Sequence, residues 1–161
     1  NVLGPLLNPV RATRQLLGVF SDKYLKIIAE TLHAHGSKKA WVVNGSDGMD
    51  EITLTGKTKI AELSENKIKE FEIDPLKYNF KLCDQKSLQG GTPIVNAKKM
   101  VNLFNGEKSS YRDIVLLNSA ATFCIADKVE SFEEGLELSK SIIDSGKAIK
   151  TLNKLKEVSN K

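Results

Sequence analysis

The segment Asn44-Gly-Ser-Asp-Gly-Met-Asp-Glu51 sets three carboxylates, Asp47, Asp50 and Glu51, in a stretch that Gly45 and Gly48 make flexible. Hard divalent cations prefer such oxygen ligands. Magnesium commonly takes only one or two carboxylates and completes its octahedron with phosphate oxygens and water. In a regular strand Asp50 and Glu51 would point to opposite sides, so convergence on one ion requires a turn, which Gly48 permits. Taken by itself, the segment reads first as a solvated turn in which Asp47 caps neighbouring amides, with a magnesium site as the alternative. The acidic spacing is not that of an EF-hand.

Other residues with chemical potential have plainer readings. His33 and His35, two apart at the end of a helix, fall on different faces and read as surface or helix-terminus groups. Ser119, beside Asn118 in an apolar helix, lacks a glycine elbow, so a buried hydrogen-bonding role fits better than a nucleophile. Gly90-Gly91 lacks the Lys-Ser/Thr ending of a phosphate loop and reads as the entry to a helix. Arg11 and Arg14 could meet a phosphate or carboxylate, but an ordinary surface or salt-bridge role is the simpler reading. No side chain is assigned as a catalytic acid, base or nucleophile.

The chain has 161 residues, 40% hydrophobic and 27% charged, enough for one domain with a real core and too few to suggest two. The longest apolar stretch, around Ile114 to Ala126, is interrupted by Asn118, Ser119 and Thr122 and falls short of the roughly 20 residues a membrane helix needs. The start, Asn1-Val-Leu-Gly-Pro5, carries no initiator Met and no basic-then-apolar leader, and reads as a cut end. Cys83 and Cys124 lack metal-site spacing, so reduced thiols in the cytoplasm are expected. The net charge of +4 is scattered and weakly favours anionic ligands without arguing for nucleic acid. Between Lys147 and Lys161 five Lys face one Glu, but Leu152, Leu155 and Val158 recur at helical spacing, which points to a solvated helix face.

These groups must be positioned by an α/β framework. Gln15 to Phe20 is a short apolar run that fits a buried strand, and Ser21 can cap a following helix whose apolar face holds Tyr24, Leu25, Ile27, Ile28 and Leu32. Gly36 ends that helix, and Lys39 to Val43 is a second buried strand. The β-α-β pattern predicts two parallel strands with the helix across one face, and ligands of such sheets collect beyond the carboxyl ends of the strands. Asn44 to Glu51 emerges there. Lys57 to Leu63 and Lys67 to Ile73 alternate as a hairpin with a turn at Ser64-Glu65-Asn66, lying beside the main sheet. Helices are then predicted over Pro93 to Phe104, Asp113 to Ala126, Ser131 to Ser145 and Ala148 to Val158.

Four segments in order carry a family resemblance: Leu3-Gly-Pro-Leu-Leu-Asn-Pro9, Gln15-Leu-Leu-Gly-Val19, Gly45-Ser-Asp-Gly-Met-Asp-Glu-Ile-Thr-Leu-Thr55 and Asp113-Ile-Val-Leu-Leu-Asn-Ser-Ala120. Gly90-Gly91, Asn96-Ala97 and Ser145-Gly-Lys-Ala148 extend it. Together they resemble the anthranilate phosphoribosyltransferases, of the nucleoside phosphorylase/phosphoribosyltransferase family. The resemblance implies part of a mainly parallel central sheet flanked by helices, with a helix-rich C-terminal half. It also implies transfer of the phosphoribosyl group of phosphoribosyl pyrophosphate to the anthranilate amine, with Mg2+ as cofactor, in a cytoplasmic enzyme of tryptophan biosynthesis that is a homodimer at full length. By position, the family's metal-binding pair falls on Asp50 and Glu51, and Gly4 and Pro5 match the Gly-Pro that lines the anthranilate site. Met49 stands where Leu is usual, a volume-conserving exchange.

The family's Gly-Thr-Gly-Gly-Asp loop, its Lys-His-Gly-Asn segment and an anthranilate-binding Arg have no counterpart in these residues. On the resemblance, residues 1–161 are the C-terminal part of the α/β catalytic domain, without the N-terminal helical domain and the first part of the sheet. Such a chain is expected to be inactive alone, and prone to aggregation through its exposed sheet edge. Two other readings keep the fold: a non-catalytic paralogue that binds nucleic acid, against which the acidic pair argues, and a pyrimidine nucleoside phosphorylase.

Overall fold

The computed structural model describes residues 3–6 and 12–160. A single helical turn, α1 (Leu3–Leu6), precedes strand β1 (Arg14–Gly18). A 3-10 turn over Asp22–Tyr24 leads into α2 (Leu25–Ala34), and β2 (Lys39–Gly45) follows. The predicted helix therefore begins one turn late: Ser21 precedes it in extended conformation, but its side chain makes no capping hydrogen bond. At the other end Gly36 adopts φ +88°, as a helix-ending residue does.

β1 and β2 are parallel, with Leu16 opposite Trp41 and Gly18 opposite Val43, and the ladder continues through the Val19 N–H to the Val43 carbonyl at 2.9 Å. The hairpin of β3 (Thr58–Ser64) and β4 (Lys67–Ile73) joins the other side of β2, so the sheet runs β1-β2-β3-β4. β2 with β3 and β3 with β4 are antiparallel, making this part of the sheet mixed. Glu65 and Asn66 both take positive φ, 50° and 60°, the geometry of a two-residue turn whose twist matches its strands. β4 forms one edge and presents Lys67, Lys69, Glu70 and Glu72 to solvent, which protects it from pairing with other chains.

Side chains alternate across β2 and separate two cores. Ala40 and Val42 pack with Leu25, Ile28, Ala29 and Leu32 of α2 on one face. Trp41 and Val43 face the helical second half. That half contains α3 (Gln85–Leu88), α4 (Pro93–Phe104), α5 (Ser110–Ile125), α6 (Phe132–Asp144) and α7 (Lys147–Ser159). Ser109 and Ser131 cap α5 and α6 by accepting the Arg112 and Glu134 N–H groups at 3.2 and 3.1 Å. Gly135 lets α6 approach α5, since a Cβ there would lie 2.9 Å from the Ala120 carbonyl oxygen. The short α3 has no counterpart among the predicted helices; one turn capped by Asp84 leaves too short a pattern to read. On α7 Ala148, Ile149 and Leu152 are partly covered, and Leu155 and Val158 are 63% and 61% exposed.

Candidate functional site

The acidic segment emerges at the carboxyl ends of β1 and β2, and its path is held almost entirely by local hydrogen bonds. The Gly45 N–H donates to the Met49 carbonyl at 2.8 Å and the Gly48 N–H to the Gly45 carbonyl at 2.9 Å, closing a tight turn. Gly48 sits at φ +85°, where a side chain would be strained. Asp47 lies inside the turn. One carboxyl oxygen accepts the Met49 N–H at 3.0 Å, and the other accepts the Thr53 and Thr55 hydroxyls at 2.9 and 2.7 Å. Burial pushes this carboxyl up, but the hydrogen bonds from Thr55, Met49 and Thr53 outweigh it and hold Asp47 below the ordinary carboxylate range. Asp47 shapes the turn, as its position in the sequence suggested.

Beyond the acidic pair the backbone is anchored again. Asn118 of α5 accepts the Ile52 N–H and donates to the Ile52 carbonyl, both at 2.9 Å. The Thr53 N–H donates to the Thr58 hydroxyl at 2.9 Å. Asp50 and Glu51 thus span two fixed points, and among the described residues neither side chain takes part in a hydrogen bond or ion pair.

Asp50 and Glu51 both line one cleft of about 390 Å³. Its floor is apolar, from Leu16, Val43, Ile114 and Val115, and Ser119 and Thr122 add hydroxyls from α5. The turn therefore brings two adjacent acidic residues to one cavity. Partial burial in this cleft, and then the neighbouring Asp50 carboxylate, raise the Glu51 carboxyl above its ordinary value although much of the side chain is exposed. Two carboxylates sharing a cleft, with no cation paired to them among the described residues, fit an ion brought from outside. Among the described residues no three His, Cys, Asp or Glu side chains gather as a metal cage. A donor pair of two carboxylates fits magnesium that takes most of its shell from phosphate oxygens and water.

The other candidates separate from this site. Arg14 pairs with Asp127 and with the Ile125 carbonyl at the opposite end of β1, and Lys39 joins the same aspartate at 2.7 Å, so the salt-bridge reading is met. His33 and His35 are exposed. Gly4 is exposed and is not among the residues lining the cleft. Pro5 falls within α1, but its side chain, Arg11 and most of the Leu3–Pro9 motif lie outside the described residues. The hydrogen-bonding role expected of Ser119 is carried by its neighbour Asn118. One signal was present in the sequence: an amide inside an apolar helix needs partners, and Asn118 can offer both a donor and an acceptor.

Known proteins share this framework. Residues 1–149 match the model of the glycosyl transferase family, a/b domain. Anthranilate phosphoribosyltransferases from Phenylobacterium zucineum (strain HLK1) and Petrotoga mobilis are each 45% identical to this chain, over 98% and 99% of it but 47% and 46% of their own length. The chain spans about half the length of the curated relatives it matches. The crystal structure of the anthranilate phosphoribosyltransferase from Thermus thermophilus superposes with a TM-score of 0.87 at 34% identity, covering 95% of this chain and 45% of that one. The Saccharomyces cerevisiae enzyme in complex with PRPP and Mg gives 0.84 at 26% identity, covering 94% and 44%. With the family's a/b-domain model matched over residues 1–149 and a four-stranded sheet flanked by helices in the same arrangement, this chain belongs to the glycosyl transferase family.

Proposed function

We propose that residues 1–161 form the C-terminal part of the catalytic domain of a magnesium-dependent anthranilate phosphoribosyltransferase. The complete enzyme, a cytoplasmic homodimer on this reading, transfers the phosphoribosyl group of phosphoribosyl pyrophosphate to the anthranilate amine and releases pyrophosphate. The observation that carries the reading is the pair Asp50 and Glu51, the two side chains of an otherwise tied-down turn that are left to face a cleft.

Departure of pyrophosphate leaves positive charge on the ribose and gathers negative charge on the leaving group, so alignment and charge stabilisation are the main help a protein can give. Bound magnesium would neutralise and orient the pyrophosphate oxygens. Asp50 and Glu51 would hold the ion, and neither is asked to move a proton. Asp47 keeps the turn in shape through Thr53 and Thr55. Gly4 and Pro5 would line the anthranilate site.

The test uses the complete protein with Asp50→Asn and Glu51→Gln together, and measures turnover against magnesium concentration. A steeply increased magnesium requirement is expected; an unchanged one overturns the assignment. Sedimentation of the same protein tests the homodimer.

A further inference from the structure

We propose that Asn118 is a positioning residue for the cation site: its amide sets the backbone at Ile52 so that Asp50 and Glu51 face the same cleft. The proposal rests on the reading of that pair as the magnesium ligands. Asn118 does for Ile52 what a neighbouring strand would do, offering an acceptor to its N–H and a donor to its carbonyl, each at 2.9 Å. The same Nδ2 group also donates to the Ile114 carbonyl at 2.9 Å, which fixes the amide plane on α5. The contact joins residues 66 apart in the chain.

The geometry makes this contact consequential. Met49 is anchored on one side by Gly45 and Asp47, and Ile52 on the other by Asn118, leaving a bridge of two residues. So short a bridge between fixed ends has few conformations, and those ends decide where its side chains point. Extended backbone would send Asp50 and Glu51 apart. α5 is a firm reference for the second anchor, because Leu116, Leu117, Ala120 and Ala121 around Asn118 are all buried in the core. A residue that orients metal ligands without touching the metal is worth roughly 10–100-fold in metal affinity in other proteins.

The experiment titrates Mn2+ into the complete protein with inorganic pyrophosphate present, read calorimetrically and by the Mn2+ resonance signal, so that no turnover is needed. Asn118→Ala is expected to weaken cation binding roughly tenfold or more, with the Michaelis constant for anthranilate little changed. Asn118→Ser leaves a polar group through which water can satisfy the freed Ile52 groups; it should also weaken binding, and it carries the test if the alanine variant does not fold. Ser139→Ala removes a buried hydrogen bond on α6 at 2.7 Å, away from the cleft, and should lower stability without moving cation affinity. Unchanged Mn2+ binding in a folded Asn118 variant, while Asp50→Asn with Glu51→Gln abolishes it, would overturn the positioning role alone. If the double variant also binds Mn2+ as before, the cation reading falls and this proposal falls with it.

Discussion

Gly18 and the carbonyl of Asp50 are so close that a Cβ on Gly18 would stand 1.5 Å from that oxygen and 2.8 Å from the Asp50 Cβ. The last residue of β1 is thus a floor for the acidic turn. Its backbone is ordinary strand, so the demand for glycine is one of space. Gly18→Ala must push residue 50 outward or bend β1. The expected cost is about 1–3 kcal/mol in stability, as for other overpacked sites, together with weakened Mn2+–pyrophosphate binding. Urea denaturation and calorimetry would check both, and an unchanged affinity would show that the turn adjusts without cost to the site.

Glu51 gives a pH dependence of definite sign. Its carboxyl is raised by loss of solvent and then by Asp50. A carboxyl whose folded value lies above its unfolded one favours the folded chain at low pH, and this contribution is lost as pH rises from about 4.3, the ordinary glutamate value, through the raised one. Glu51→Gln should therefore melt higher than the parent at neutral pH without divalent cations, with the gain vanishing below about pH 4. Melting curves across pH test this directly. A glutamine variant no more stable at neutral pH would contradict the strain.

Asp47 carries the opposite sign. Burial raises it, but the Thr55, Met49 and Thr53 hydrogen bonds more than compensate, so its folded value is depressed. Its contribution is present above the ordinary aspartate value and is lost as pH falls through the depressed one. Asp47→Ala is expected to cost about 1–3 kcal/mol at neutral pH, because the Met49 N–H and two hydroxyls lose their acceptor. The deficit should shrink below about pH 4. Denaturant midpoints at several pH values would show whether it does.

Arg112 is a buried cation on α5, with only 2% of its surface exposed, and it reaches Asp144 at the end of α6 at 2.8 Å. Its second terminal nitrogen has no partner among the described residues. Asp144 is therefore the one carboxylate in hydrogen-bonding contact with this guanidinium among the described residues. Asp144→Ala should cost about 1.5–3 kcal/mol, the range for hydrogen bonds to charged groups. Restoring a good part of that loss by a further Arg112→Met would identify the buried charge as the cause; no recovery would point to packing of the α5–α6 pair.

Much of this fold is legible in the residues because its signals are local. The β-α-β unit, the turn at Glu65-Asn66 and the start of α4 at Pro93 follow from apolar period, left-handed turn residues and caps within a few positions of one another. The 3-10 turn at Asp22–Tyr24 and the short α3 escape that reading, since single turns leave no period to detect. For the site, residue types alone show three possible oxygen ligands in a turn that Asp47 can shape, and only the ordered motifs of the family resemblance single out Asp50 and Glu51. They are silent on which way the pair faces. That depends on Gly18 beneath Asp50 and on Asn118, brought from 66 residues away to grip Ile52. Both are contacts between distant segments, and a side-chain direction in an irregular loop is decided by such packing, not by any periodicity along the chain.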